Sequence, residues 1–95
     1  VLELVWSEWA REDLLKIVDY ISDDNPNAAL RLLDDIKVKV VRLSEFPKMG
    51  KKGRIKGTRE LVAWSNYIIV YQDTNSTLRV LRILHAAQQW PPDNK

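Results

Sequence analysis

The chain has 95 residues, 45% of them apolar and 29% charged, the composition of one ordinary folded domain spanning residues 1–95 rather than of a disordered or fibrous chain. It has no cysteine and one histidine, which excludes disulfide frameworks, zinc fingers and thiol chemistry, and leaves neither a metal site nor a cofactor to be expected. The net charge is +2, yet residues 1–45 hold ten acids and six bases while residues 46–95 hold three acids and nine bases. Such asymmetry points to a polyanion or an acidic partner. No apolar run approaches the roughly 18 residues a membrane crossing needs, and no signal-peptide pattern opens the sequence, so no membrane association and a cytoplasmic location are expected.

In chain order, residues 2–6 (LELVW) are short, apolar and β-leaning, which predicts a first strand. Ser7 stands where a helix N-cap belongs. Ala10, Leu14, Ile17, Val18 and Ile21 then recur at steps of three and four, predicting an amphipathic helix that stops near Asp23–Asp24. Asn25-Pro26 punctuates the chain as an N-cap followed by proline at the first helical position. A second helix is predicted to about Glu45, with Ala29, Leu33, Ile36, Val40 and Leu43 as its buried stripe, antiparallel to the first. Phe46-Pro47 ends the helices. The stretch from Lys48 to Arg59 (KMGKKGRIKGTR), with glycines at 50, 53 and 57 and no acid, reads as a basic loop.

After it the period shortens. Residues 59–64, 67–72 and 77–84 are β-branched, aromatic and short, with hairpin-sized links between them, predicting a three-stranded antiparallel meander. The expected fold is α+β: an N-terminal strand, an antiparallel helical hairpin and the meander, with the helices packed on one face of a four-stranded sheet. Its other face is then partly open, and the apolar residues of 77–84, on both parities, leave undecided which face that is. Trp90 and Pro91-Pro92 end the regular structure.

No phosphate-binding glycine loop, nucleophile elbow or paired-carboxylate site is present. Glu12-Asp13, Asp23-Asp24 and Asp34-Asp35 read as solvated, and Trp6 and Trp9 as packing residues. Arg79 and Arg82 lie inside the most apolar strand, three apart and hence on opposite faces. Each either pairs with an acid such as Glu60 or holds a phosphate. His85 ends the strand, either as a structural residue or as a proton donor. Tyr67, Tyr71 and Trp64 are sheet aromatics that core packing explains, although a base could stack there.

The stretches GRIKGTRELVAWSNYIIVYQ (53–72) and LRVLRILHAAQQWP (78–91), with this element order, resemble the RelE/ParE superfamily of bacterial toxins. Residues 6–36 resemble the helical hairpin of its ParE-like members. Gly57-Thr58-Arg59-Glu60-Leu61, Asn66-Tyr67, Val70-Tyr71 and Leu84-His85-Ala86 carry the resemblance together. It implies the toxin of a type II toxin–antitoxin module, linked to growth inhibition and plasmid stabilisation and neutralised by a cognate antitoxin whose acidic, partly disordered segment wraps it. ParE-like members are associated with poisoning DNA gyrase; RelE-like members cut mRNA on the ribosome, without a metal, through cations and an acid. The RelE-like pattern places an arginine after the tyrosine of the middle strand, where this chain has Ile68, and presents several cations where Arg59 stands alone. The expectation is therefore a ParE-like, non-catalytic gyrase inhibitor, with Lys51, Lys52, Arg54, Lys56, Arg59, Tyr67 and Arg79 binding antitoxin or target. The alternatives are a metal-independent, ribosome-dependent endoribonuclease using His85 as acid with Arg59 and Arg82 on the phosphate, and a degenerate toxin that only binds antitoxin as a co-repressor.

Overall fold

The computed structural model describes residues 1–92 and begins with β1 (Glu3–Trp6), α1 (Glu8–Asp24) and α2 (Pro26–Glu45). Ser7 caps α1, its Oγ accepting from the Ala10 N–H at 3.0 Å and donating to the Leu81 carbonyl at 2.8 Å. One hydroxyl thus starts the helix and fastens it to the sheet. Asn25 closes α1 through its N–H on the Ile21 carbonyl and opens α2 through Oδ1 on the Ala28 N–H. With a single residue between them, the two helices turn back and pack together as the hairpin that the sequence predicts. On α2 the buried stripe is Ala29, Leu32, Ile36, Val40 and Leu43; the sequence pattern favoured Leu33, which is only half-buried.

A short 3₁₀ turn (Pro47–Met49) leads to β2 (Lys51–Lys52), β3 (Arg59–Ala63), a second turn (Trp64–Asn66), β4 (Tyr67–Asp73) and β5 (Thr77–His85). The sheet has five strands, not four, in the order β1-β5-β4-β3-β2. The added strand lies inside the expected basic loop. There the Gly53 N–H meets the Thr58 carbonyl at 2.8 Å, a turn that folds Lys51 and Lys52 back opposite Glu60 and Arg59. Gly57 permits that turn with φ at +85°, a conformation that residues with a Cβ rarely adopt. β3, β4 and β5 form the expected antiparallel meander. β1, in contrast, joins β5 in parallel, Glu3 opposite Thr77 through Trp6 opposite Val80, so the sheet is mixed. A parallel neighbour needs a long crossover between strands, and the helical hairpin lies within that connection.

The helices cover one face. Leu32, Ile36, Val40 and Leu43 pack with Tyr67, Ile69, Tyr71, Leu78, Val80 and Ile83. Tyr71 is wholly buried there; its hydroxyl donates to the Pro47 carbonyl at 2.6 Å and accepts from the Gly50 N–H at 2.9 Å. A Cβ at Gly50 would stand 2.5 Å from that hydroxyl, so only glycine lets the chain leave α2 so close to the ring. The opposite face carries Ile68, Val70 and Leu84; this is the face that the helices leave open.

Between them runs a bulge that changes the sequence-based reading of β5. The register passes from Val70 opposite Arg82 to Tyr71 opposite Val80, leaving Leu81 as the extra residue. A bulge shifts parity by one. Arg79, opposite Gln72, and Arg82, opposite Val70, therefore share the open face, where uninterrupted alternation had put them on opposite sides.

Candidate functional site

The candidate residues fall in two places at opposite ends of the sheet, one at its basic edge and one against α1 on the helix side. At one end is the basic edge. Lys51 and Lys52 form β2, the outermost strand, and are exposed, as is Lys56 in the turn that follows. Lysines on so short an edge keep another strand from adding unguided. Arg54 is committed elsewhere. Its backbone N–H and Nε bond Glu60 Oε2 at 2.9 and 3.2 Å, and its Nη2 bonds Oε1 at 3.3 Å. The Glu60 side chain is only 3% exposed. Burial by itself would push its carboxyl up, but the bonds from Arg54 and the charges of Arg54 and Lys51 hold it below its ordinary value. Glu60 thus shapes the loop from beneath. Arg59 also has a local partner, its Nη1 donating to the Gly50 carbonyl at 2.8 Å.

At the other end lies an open pocket of about 580 Å³ between α1 and the end of β5, lined by Lys16, Tyr20, Tyr67, Arg82, His85 and Gln88 among others. His85 and Tyr67 face each other across the strands, rings T-shaped with centroids 5.1 Å apart. Burial and the neighbouring Tyr20 push the Tyr67 hydroxyl above its ordinary value, so it stays a neutral donor. Nδ1 of His85 accepts the Ala87 N–H at 3.0 Å. In the neutral ring the proton is therefore on Nε2.

Arg82 enters this pocket already paired. Its Nε and Nη2 bond Asp13 Oδ2 and Oδ1 at 2.7 and 3.1 Å, and its guanidinium lies 5.9 and 5.4 Å from the rings of Trp9 and Trp90. The Asp13 bonds raise its pKa further against the lowering effect of burial. The expected acid for these arginines was Glu60; Asp13 takes Arg82, Arg54 takes Glu60, and Arg79 is exposed. The reason lies in the sheet edge. β1 ends opposite Val80, and beyond it side chains of Ser7 and α1 continue the ladder: Ser7 Oγ on the Leu81 carbonyl and Asp13 Oδ2 on the Ile83 N–H at 3.0 Å. Asp13 is thus an engaged carboxylate, not a solvated one. So is Asp35, which accepts from the Trp64 N–H at 2.7 Å and Lys39 Nζ at 2.9 Å; these partners hold its carboxyl low against the opposing effect of burial. Trp9, expected to be packed, is 68% exposed and meets Arg82 on the surface.

The two ends do not converge. Arg59 lies opposite Tyr71 and His85 opposite Tyr67, four residues apart along β4, or about 13 Å. The candidate cations divide accordingly: Arg54, Arg59 and Arg82 have internal partners, whereas Lys51, Lys52, Lys56 and Arg79 have no ion pair among the described residues. No group of three or more His, Asp or Glu placed to hold a metal occurs among them either, and no described helix is long and apolar enough to cross a membrane. Sequence reasoning missed Asp13, whose partner lies 69 residues away and which no local pattern marks.

Comparison with known proteins adds to this geometry. A family model described as the ParE toxin of the type II toxin–antitoxin system parDE matches residues 4–90. Toxin Y4kP of Sinorhizobium fredii is 44% identical over 87 residues, covering 90% of each chain. Toxin RelE2 of Caulobacter vibrioides is 35% identical over 86 residues, covering 90% of this chain and 97% of its own. In fold, the chain resembles a structure from the chromosomal ParDE system of P. aeruginosa, with TM-score 0.78 and 24% identity over 88% of this chain and 95% of that one. It also resembles a chain of the E. coli DinJ–YafQ toxin–antitoxin complex, with TM-score 0.65 and 18% identity over 94% and 97%.

Proposed function

Since the chain belongs to the ParE toxin family, within the RelE/ParE superfamily of type II toxins, we propose that it is a growth inhibitor acting on DNA gyrase without cleaving RNA, held inactive by a cognate antitoxin. Residues 1–95 are read as its single toxin domain. The observation that carries the non-catalytic reading is the dispersal of the cations. In-line attack of a ribose hydroxyl needs positive charge converging on the phosphate beside the acid. Here Arg82 is bound bidentately by Asp13, and Arg59, on β3 opposite Tyr71, is held on a backbone carbonyl away from His85.

The antitoxin reading draws on the ParDE and DinJ–YafQ assemblies that the chain resembles, and on charge. Lys51, Lys52, Lys56 and Arg79 offer an exposed basic surface to an acidic segment, and such steering is strongest at low salt. Arg54 contributes less than its position suggests, because Glu60 already holds it.

The test is pulse expression of the chain alone in a bacterium, with label incorporation into DNA, RNA and protein followed in time. Failure of DNA synthesis first, with toxicity unchanged in His85→Ala, is the expected result. Early collapse of protein synthesis, abolished by His85→Ala, would instead establish the ribonuclease built on the His85 pocket. Absence of any arrest would leave an antitoxin-binding co-repressor.

A further inference from the structure

The outer face of the helical hairpin, turned away from the sheet, carries side chains that neither the core nor the basic edge explains. Toward the sheet, α2 buries Ala29, Leu32, Ile36, Val40 and Leu43. On its other side Leu30, Asp34, Lys37 and Val41 recur at steps of four, three and four, and all four are exposed. That is the spacing of a helix packed against another helix. On α1, Arg11, Leu15 and Asp19 recur at steps of four and are exposed as well. Leu15, Leu30 and Val41 leave 70%, 59% and 52% of their surface to solvent. A groove of about 400 Å³ between the helices, lined by Trp6, Arg11, Leu14, Leu15 and Lys37, joins the two stripes into one surface.

Single exposed leucines need no partner, but this pattern complements itself. Consider α2 set antiparallel against α2 of a second copy, with a two-fold axis between residues 35 and 36. Leu30 then meets Val41 of the second copy, Asp34 meets Lys37, and symmetry makes each contact twice. On α1, an axis at residue 15 sets Leu15 against its own copy and Arg11 against Asp19. One hairpin must satisfy both placements. Residue 15 lies ten before Asn25 and residue 35 ten after it, so the turn at Asn25 brings the two level along the packed helices. A single axis therefore serves both. Arg11, Asp19, Asp34 and Lys37 have no ion pair among the described residues, which leaves all four for a second copy. Two such helices side by side present about 550 Å² per copy, so the pair buries about 1,100 Å², near the lower limit of specific interfaces.

We infer that this face is a homodimer interface, in which two copies of the chain stack hairpin on hairpin about a two-fold axis through Leu15. Both open sheet faces then point outward and stay free. The inference does not depend on the cellular target proposed above.

Sedimentation equilibrium of the purified chain tests it. A monomer–dimer equilibrium with a dissociation constant of about 50 µM is expected. Leu15→Glu sets two carboxylates together on the axis and is expected to weaken association at least about tenfold. Asp34→Lys and Lys37→Asp each place like charges opposite one another and should weaken it about fivefold. The double exchange restores both ion pairs and should return association to within about twofold of the unaltered chain. All three positions are exposed, and an unchanged circular dichroism spectrum verifies the fold of each variant. An unaltered chain that stays monomeric at about 500 µM would overturn the inference. A dimer indifferent to Leu15→Glu would overturn it too, by using another face. A double exchange that stays weak would refute the register. Weaker antitoxin binding by Leu15→Glu, in a chain that does not self-associate, would give this face to the antitoxin instead.

Discussion

On the helix side of the sheet, Leu32, Ile36, Val40 and Leu43 meet Tyr71, Leu78, Val80 and Ile83, all with at most 2% of their surface exposed; on the other side, three aliphatic residues lie under Leu81 and one indole and between two ion pairs, Arg54–Glu60 and Arg82–Asp13. The first face is closed by volume, from two helices fixed in place by Ser7 and Asn25. The second is closed by charge pairs, Leu81 and a single ring. Stability is thus concentrated on the covered face.

Three substitutions sharpen this contrast, from the largest expected effect to the smallest. Ile36→Ala removes a side chain with no exposed surface from the covered face and is expected to cost about 3 kcal/mol in denaturant unfolding. A loss below that of any open-face variant would erase the distinction. Asp13→Ala leaves Arg82 without its carboxylate and the Ile83 N–H without an acceptor, and is expected to cost about 2 kcal/mol, the partial exposure of both side chains softening the penalty. Combining it with Arg82→Met should recover part of that loss, since the stranded charge is gone; strict additivity would show that the pair is not coupled.

Glu60→Gln is expected to cost about 1 kcal/mol at pH 7, limited by the exposure of the Arg54 side chain. Here pH supplies the check. The folded carboxyl lies below its ordinary value of 4.5, so its contribution is complete above that pH and is lost as pH falls through the lower, folded value. Wild type and variant should therefore converge in acid. A difference that persists at the lowest pH would assign the effect to packing rather than charge.

The sequence alone determined what depends on neighbours a few residues apart. Ser7, Asn25-Pro26 and the period of Ala10, Ile36 and Val40 set the helices, because a cap or a helical face is written in consecutive residues. The β-branched runs after Arg59 set the meander in the same way. The resemblance in residues 53–72 and 78–91 identified the superfamily. What only the tertiary structure decided concerns pairings across the chain. The bulge at Leu81 moved Arg82 onto the same face as Arg79, and the end of β1 at Trp6 left an edge that Asp13 completes. The turn at Gly57 made a strand of two lysines, and Glu60 took Arg54 out of the basic surface. Each of these follows from strand register, and register is fixed by contacts summed over the whole sheet; a charge read in sequence keeps its sign, but its partner is chosen only when the strands align.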